Sequence, residues 1–301
     1  MRTALDRVRD AVGGSDLLDL LGRRLPGADL TTLLLEVLRL RAARRAPAEV
    51  LKRYREDRFV APAAVPFHRL RRVEDAVLAS LPAGVEPITL APLAPLGTHS
   101  VVAGVPQNNV VSTVRGTEVA ADPTNGLALA AAHRRSTSDA GDVRLAAVQR
   151  VVRAQRFAAA PAHFSLFALV SAGRDTGNLA FERRHAAEQL RVWTDAMRAL
   201  GAARTRVTLT TFEPGYAAVA AAVREVLSGR SDVEVVDDPA RARGRGYYTG
   251  FCFKLYLAVD GEPFEVGDGG FVDWTRKLLG NRKERLLTSG IGIDRVALAL
   301  P

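Results

Sequence analysis

Hydrophobic residues recur at helical spacing through the first 57 residues of the chain. Leucines three or four positions apart mark LLDLLGRRL and DLTTLLLEVLRLRAARR, and PAEVLKRYRED begins with a proline, which suits the first turn of a helix. The next stretch, RFVAPAAVP, holds two prolines and no periodic pattern. The sequence therefore predicts a helical N-terminal segment over residues 1–60 and a second domain over residues 61–301.

The second domain mixes helical and strand patterns. Helical spacing recurs in FHRLRRVEDAVLASL, DPTNGLALAAAHRR, FERRHAAEQLRVWTDAMRAL and GYAAVAAAVREVL. Strand patterns occur in NNVVSTVRG, in TRVTLTTF, in VEVV, and in VRLAAVQRVVRAQRF and FSLFALVSAG on either side of a short loop. VEPITLAPLAPLGT is predicted to be extended, because its prolines are incompatible with a helix interior.

The last third of the chain is rich in adjacent strands. GYYTGFCFKLYLAV and PFEVG are joined by DGE, which suits a tight hairpin turn. The sequence then closes on TSGIGIDRVALALP, a strand that leads into a short apolar helix. Hairpin-joined strands favour an antiparallel sheet over a doubly wound parallel one. The predicted fold class is therefore α+β, an antiparallel sheet flanked by helices, with the helical N-terminal segment in front.

Composition adds limits on class and location. The chain has 301 residues, of which 48% are hydrophobic, enough for a substantial core. No apolar run approaches the roughly 18 residues that a membrane helix needs, and the charged N-terminus does not resemble a secretory signal. Cys252 is the only cysteine, so no disulfide can form within the chain. These features favour a cytoplasmic protein with no membrane partner.

The net charge is +9 and the isoelectric point about 10.3. Basic proteins attract polyanions such as nucleic acids and nucleotides. However, only four of the 42 basic residues are lysine, a bias typical of codon usage in a GC-rich genome. Net charge is therefore weak evidence for nucleic-acid binding, and an RNA-binding module built on the basic N-terminal helices is the least supported hypothesis.

Several familiar chemistries lack their motifs. The five histidines are scattered without the spacing of a zinc site, and no metal ligand set is predicted. Neither a phosphate-binding G-x-x-x-x-G-K-[ST] nor a G-x-S-x-G nucleophile motif is present. RGRGYYTG does not have the spacing of a dinucleotide-binding glycine motif. Cys252 lies in an apolar strand pattern, which indicates packing.

Arginines next to glycines or strand ends are better candidates. In GIGIDR, Gly290 and Gly292 leave one strand face without side chains, so that a flat ligand can approach the backbone, and Arg295 follows at the strand end. Arg153 ends another predicted strand, and Arg243 precedes a glycine and two tyrosines. Each pattern alone is equally compatible with a packed strand or a surface arginine.

Taken together and in order, these motifs resemble the catalytic core of class II aminoacyl-tRNA synthetases. Within that class they are most similar to histidyl-tRNA synthetase and to its non-catalytic relative, the regulatory subunit of ATP phosphoribosyltransferase. Residues 65–96 resemble the first class motif, VVRAQRF…FSLFALVSAG the second and GIGIDRVALAL the third, while RGRGYY and GGFVD resemble elements of the histidyl branch. The resemblance covers residues 62–301.

The resemblance implies roles for individual residues. Arg153 and Arg243 correspond to arginines that contact the α-phosphate of ATP, and Arg295 to one that contacts the γ-phosphate. Gln155 stands where the family has a glutamate that recognises adenine. The strip of Gly290 and Gly292 would line the nucleotide.

On the substrate side, the resemblance assigns six residues. They are Tyr247, Tyr248, Gly269, Gly270, Leu166 and Val170. The last two replace a glutamine and a glutamate that hold the substrate's ammonium group in the family. Burying an ammonium against apolar side chains costs several kcal/mol, so we expect a substrate without that group. Glu118, Glu265 and Asp273 are further candidates for contacts with a metal or substrate.

The resemblance implies an ATP- and Mg²⁺-dependent, adenylate-forming ligase that activates a small carboxylic or amino acid for an unidentified acceptor. The family's usual homodimer is expected. Because the sequence carries nothing after the third motif, where a synthetase continues into an anticodon-binding domain, we expect no charging of tRNA. The alternative is a non-catalytic regulatory or ligand-sensing paralogue of histidyl-tRNA synthetase.

Overall fold

The computed structural model describes residues 2–13, 16–137, 141–156 and 161–300. It divides into two compact units. The N-terminal unit comprises residues 1–61 together with 112–117, and the larger unit comprises residues 62–111 and 118–301.

The N-terminal unit is helical, as the leucine spacing predicts. Its described helices are α1 (Ala4–Ala11), α2 (Leu17–Asp19), α3 (Gly27–Ala43) and α4 (Pro47–Glu56). A π-helical turn, Leu20–Arg24, continues α2. Thr3 caps α1 by accepting a hydrogen bond from the Asp6 amide, while the Asp6 carboxylate accepts one from the Thr3 amide. No residue of these four helices is buried.

The larger unit is built on one sheet. The described strands are β1 (Glu86–Pro87), β2 (Leu93–Pro95), β3 (Thr117–Val119), β4 (Val143–Val152), β5 (His163–Arg174), β6 (Thr205–Thr211), β7 (Val233–Asp237), β8 (Thr249–Val259), β9 (Glu262–Val272) and β10 (Glu284–Gly292). Eight of them form the sheet in the order β1-β4-β5-β10-β9-β8-β6-β7, and β2 pairs with β3. The central strands are antiparallel, and only the outer pairs β1–β4 and β6–β7 are parallel.

Helices cover both faces of this sheet. They are α5 (Phe67–Ala79), α6 (Pro123–Thr137), α7 (Ala180–Ala199), α8 (Ala217–Val226), α9 (Trp274–Leu279) and α10 (Ile293–Ala299). Buried side chains of α5, α7, α8 and α10 form one hydrophobic cluster with the sheet. Those of α6 and α9 form a second cluster with it. The predicted α+β class is confirmed, with an antiparallel centre and helices on each side.

The predicted strand NNVVSTVRG is confirmed only at its centre, where Ser112 forms a β-bridge and Thr113 donates to the carbonyl of Thr117. The chain forms a 3₁₀ turn at Gln107–Asn109, then turns again at Gly116, whose φ of +66° suits glycine and ends any extended run. The strand in this region, β3, begins at the next residue. A run of β-branched residues reports a local preference, and here the turns on either side override it. Helix α9 was not predicted, because its six residues are too few for a periodic pattern.

The late hairpin is confirmed. Strands β8 and β9 pair antiparallel and are joined at Asp260 and Gly261, whose φ angles of 51° and 85° are those of a type I′ turn. Strands β4 and β5 likewise pair antiparallel, with Val143 opposite Ala172 and Val152 opposite His163. The loop predicted between them lies partly outside the described residues.

Candidate functional site

The centre of the sheet has a strip without side chains on one face. Gly290 of β10 lies between Ala168 of β5 and Asp268 of β9, and Gly292 follows on the same face. We call the face that carries these four residues the site face. A methyl group on Gly290 would stand 3.1 Å from the carbonyl oxygen of Phe167, a tight but not prohibitive contact. At Gly290 the space above the backbone is therefore open.

On β9, glycine is required for a different reason than at Gly290. A Cβ atom on Gly269 would lie 2.4 Å from Cβ of Ser289, and one on Gly270 would lie 2.6 Å from the ring of Tyr248. Both distances are too short for real contacts, so packing alone excludes side chains there. Gly270 lets the Tyr248 ring lie directly against the backbone of β9.

Two tyrosines and a tryptophan form an aromatic group beside the strip. The rings of Tyr247 and Tyr248 are perpendicular with centroids 4.8 Å apart, and Tyr247 makes a similar edge contact with Trp274 at 5.7 Å. Tyr248 is buried, whereas 37% of Tyr247 is exposed. The surrounding protein raises the pKa of both hydroxyl groups, so both stay protonated and can donate hydrogen bonds at neutral pH.

A buried arginine that the sequence analysis missed lies next to this group. The Arg241 side chain is only 4% exposed. Its Nε donates to the carbonyl of Arg243 at 2.8 Å and its Nη1 to that of Phe253 at 3.1 Å, while the guanidinium faces the Tyr248 ring at 5.7 Å. Its Nη2 is 3.5 Å from Oδ2 of Asp268. The sequence RARGRG contains three arginines, and only the structure distinguishes the buried one.

Asp268 is the acidic group of the strip. It stands among Gly267, Gly269 and Gly270, with 45% of its side chain accessible to solvent. Crowding by protein atoms around the carboxylate raises its pKa, and the charge of Arg241 opposes that increase. A water-accessible carboxylate with a raised pKa makes Asp268 a candidate for a ligand-binding site.

Arg153 reaches the same region from the end of β4. Its Nε donates to the carbonyl of Ala121 at 3.0 Å and its Nη2 to Oδ2 of Asp122 at 3.3 Å. The guanidinium lies over the ring of Phe164 at 5.1 Å. Asp122 is fixed at the start of α6, because its Oδ1 accepts hydrogen bonds from the amide and hydroxyl of Thr124. Arg153 is thus held by protein groups at the edge of the site.

Asp122 belongs to the site as well, although the sequence indicated only a helix start there. Besides burial, the charges of Asp122 and Asp268 raise the pKa of Tyr247, and that of Arg153 lowers it. These four groups therefore lie within each other's electrostatic fields. The site brings together two carboxylates, two arginines and two tyrosines, when Arg241 and Tyr248 are included.

Arg295 lies at the Gly292 end of the strip. Its side chain packs beside Gly292, where a Cβ atom would stand 3.2 Å from Cδ of the arginine. Its Nη1 donates to the carbonyl of Glu265 at 2.9 Å, and the guanidinium lies 5.9 Å from the ring centroid of Phe264. The residue is exposed at the start of α10. The bare strip and this arginine are therefore adjacent, as the motif predicts.

Neighbouring ion pairs fix the elements around Arg295. The Glu265 side chain accepts a hydrogen bond from Lys254 Nζ at 2.7 Å across β8 and β9. Asp294 is buried, and its Oδ2 accepts the amide of Ser165 at 2.7 Å, which ties the start of α10 to β5. Glu265 thus faces Lys254, and its backbone holds Arg295.

Arg243 and Gln155 are the remaining residues that the resemblance assigns to the nucleotide. Arg243 is exposed, and its carbonyl is the group that orients Arg241. Gln155 is half-buried, two residues beyond the arginine at the end of β4. Their roles in binding a nucleotide stay predictions.

The two apolar residues of β5 share the site face but differ in exposure. Leu166 is half-buried, opposite Gly292. Val170 is buried in the cluster formed with Leu127 and Ala131 of α6. Neither offers a polar group to a substrate, and α6 covers the second.

Glu118 and Asp273 are occupied elsewhere. Glu118 is fully buried and accepts hydrogen bonds from the amides of Gly97 and His99 and from the side chain of Gln107. Asp273 forms an ion pair of 2.9 Å with Lys277, one turn along α9. Both arrangements stabilise local structure.

Two further observations concern the described part of the chain. None of its helices is both long enough and apolar enough to cross a bilayer. Within the same residues, no group of three or more His, Cys, Asp or Glu side chains comes together as a metal site.

No family model matches the chain. The histidine–tRNA ligase of Thermosipho africanus (strain TCF52B) is 35% identical over 68 residues, which are 23% of this chain and 16% of that protein. The chain therefore matches only a small part of that relative's length.

Solved structures match over most of the chain. A Bacillus halodurans C protein, described as an ATP phosphoribosyltransferase regulatory subunit/histidyl-tRNA synthetase, matches with a TM-score of 0.63 and 17% identity, covering 80% of this chain and 82% of that one. Histidyl-tRNA synthetase from S. aureus matches with a TM-score of 0.59 and 16% identity, covering 77% and 65%. At such identities the likeness establishes the fold, and the chain has a class II synthetase-like core.

Proposed function

We propose that the site face binds ATP together with a small carboxylic or amino acid and joins them as an acyl-adenylate. One observation carries this proposal: the bare strip of Gly290 and Gly292 leads towards two arginines, Arg295 beside Gly292 and Arg153 at the end of β4, two strands away. A surface without side chains suits a flat base or sugar, and arginines beyond its end suit phosphate oxygens.

The chemistry would be in-line attack of a carboxylate on the α-phosphorus, with pyrophosphate as the leaving group. Such a reaction needs positive charge where negative charge develops, held in place before the substrates bind. Arg153 is proposed to face the α-phosphate and Arg295 the γ-phosphate. Arg241, which is buried and already ordered by two carbonyl groups, is the second positive charge at the centre of the site.

Mg²⁺ would neutralise charge on the triphosphate. It is bound in such sites through phosphate oxygens and one or two carboxylates. Asp268 and Glu265 are the acids of β9 in this region, and each lies beside a basic side chain, Arg241 and Lys254 respectively. These residues fit a metal that arrives with the nucleotide better than a permanent metal site.

The acid substrate need not lack an ammonium group. Leu166 and Val170 offer no partner for one, but Asp122 and Asp268 place two carboxylates in the same site. An ammonium that lies against them would be paired with opposite charge instead of buried alone. Both amino acids and their deaminated analogues therefore belong in a substrate screen.

The test is ATP–pyrophosphate exchange with the purified protein, run over matched pairs of acids that differ only in the amino group. We expect exchange above background with at least one acid, and loss of it in Arg153→Ala. Calorimetric titration with ATP and Mg²⁺ should show binding even where no acid supports exchange. Absence of both exchange and ATP binding would contradict the proposal.

The alternative is a ligand-sensing or regulatory protein without turnover. A specific observation supports it: Arg153 and Arg295 both donate hydrogen bonds to protein acceptors, so neither needs a phosphate to satisfy its donors. The Bacillus halodurans protein of similar fold is described in part as a regulatory subunit. Binding of an acid without ATP binding, and without exchange, would favour this alternative.

A further inference from the structure

The N-terminal unit exposes an unusual amount of apolar surface. Thirteen of the 22 exposed large hydrophobic residues in the described chain lie within residues 1–61. No described residue of that stretch is buried. A concentration of exposed apolar side chains marks an interaction surface, because leaving it in water is unfavourable. These helices therefore lack a core of their own.

The longest helix of this unit, α3, exposes four of these residues, and three of them share one side. In α3, Leu33, Val37 and Leu40 are 44%, 41% and 48% exposed. Their spacing of four and then three residues places them on one side of the helix, as in the seam of a coiled coil. We call these three residues the α3 seam. Thr32, also exposed, directly precedes Leu33 and therefore lies about 100° around the helix from it, off the α3 seam.

The charges along α3 indicate what covers this seam. Asp29 is in the first turn, whereas Arg41 is in the last turn and Arg44 is the C-terminal cap. A second α3 packed antiparallel would place acidic ends against basic ends, whereas parallel packing would bring like charges together. The same charge order is favourable for the dipole of α3 itself. It therefore indicates only the orientation of a partner helix, whereas the need for a partner follows from the exposed seam.

We propose that two copies of the chain associate through their α3 seams, packed antiparallel about a two-fold axis at Val37. Leu33 of each copy then lies against Leu40 of the other, and Asp29 lies near Arg44. Such a contact is self-complementary, which is the usual form of a dimer interface. This proposal does not depend on the proposed function.

Neighbouring helices enlarge the contact. A stable interface usually buries about 1,200 Å² or more, which a single pair of short helices does not reach. Exposed apolar residues at helical spacing also occur on α1 and α4: Leu5, Val8, Val12, Val50, Leu51 and Tyr54. Bundling of these helices around the α3 pair would provide the missing area.

The first experiment uses a disulfide as a reporter. In a Cys252→Ala background, which removes the only native cysteine, Val37→Cys places one thiol per copy at the two-fold axis. Mild oxidation should convert most of the full-length protein to a covalent dimer. The matched control is Thr32→Cys in the same background, which should remain largely monomeric on a non-reducing gel.

Other outcomes of this experiment also decide the matter. If Val37→Cys reacts rapidly with a thiol reagent but does not dimerise, the seam is open in solution and the proposal fails. If it neither reacts nor dimerises, the seam is covered by something other than a second α3, and the proposal again fails. Equal crosslinking of Val37→Cys and Thr32→Cys would show non-specific contact and would also overturn it.

The second experiment tests the orientation. Asp29→Arg and Arg44→Asp should each weaken dimerisation of the full chain by at least about five-fold in sedimentation equilibrium at low salt, because each places like charges together. The double variant Asp29→Arg/Arg44→Asp should recover most of the loss. No change in the single variants, or additive loss in the double variant, would refute antiparallel packing.

Discussion

Gly290→Ala separates a ligand-binding surface from mere packing. The methyl group would stand 3.1 Å from the carbonyl of Phe167 and 3.8 Å from Cα of Ala168. A shift of a few tenths of an ångström relieves that contact. Alanine also restricts the unfolded chain more than glycine does, which stabilises the folded protein by about 0.4–1 kcal/mol. The free energy of unfolding should therefore change by less than about 1 kcal/mol, or a few degrees in Tm.

The effect on a ligand should be larger. A group lying flat on the strip makes van der Waals contact with the backbone, at about 3.5–4.0 Å, and the methyl occupies that space. Overpacking of this kind typically costs about 1–3 kcal/mol, which corresponds to roughly 5- to 150-fold weaker binding. Calorimetric titration with ATP, together with thermal unfolding of the same samples, measures both effects.

Two other glycines provide the controls. Gly215→Ala meets nothing within 4 Å, so it should raise stability by at most about 0.4–1 kcal/mol and leave binding unchanged. Gly267→Ala would bring a methyl to 2.4 Å from the carbonyl oxygen of Gly290, so it should lower Tm before any ligand is added. Unchanged ATP affinity in a folded Gly290→Ala variant would show that no ligand lies on the strip, and the proposed nucleotide position would have to be abandoned.

Two further predictions follow from single side chains. Arg295→Ala should weaken ATP binding by about 10- to 100-fold, since a charge-assisted contact typically contributes 1.5–3 kcal/mol, and should leave AMP affinity nearly unchanged; equal loss for both nucleotides would refute the γ-phosphate assignment. Burial holds the pKa of His185 below its usual value, so the unfolded chain binds the proton more readily and stability should fall as pH drops through about 6.5. Urea unfolding at pH 7.5 and pH 5 should show that His185→Asn loses less stability at the lower pH than the unaltered protein does. A larger loss of stability in the variant would mean that Asp142, whose Oδ2 is 3.0 Å from Nε2, stabilises a charged imidazole.

The fold was predictable where local pattern and tertiary pairing agree. DGE between two apolar runs identifies the β8–β9 hairpin, because only residues tolerant of positive φ form that turn. Pattern reasoning gave too long a strand at residues 108–116, because turns on both sides leave only a β-bridge at Ser112. Nor could spacing reveal that β1 and β7 pair in parallel at the two edges, since that pairing depends on contacts distant in sequence.

The candidate site was predictable only in its local motifs. Alternating glycines before Arg295 define a bare strip by sequence alone. Arg241 and Asp122 were missed because their importance comes from burial and from partners far along the chain: Phe253 and Asp268 for the arginine, and Arg153 for the aspartate. A motif comparison selects residues at fixed offsets, and it cannot show which of several nearby arginines turns inward.

The pairing of charges in the site limits what it can bind. Arg153 is joined to Asp122, and Arg241 lies beside Asp268. An anion that binds either arginine competes with an aspartate for the same guanidinium, in a crowded place where the pKa of Asp268 is already raised. A ligand with only negative charge therefore gains less, because each new contact weakens an existing ion pair. A ligand that also carries a cationic or hydrogen-bond-donating group satisfies the displaced carboxylate, so the site should select molecules or pairs of molecules that present both.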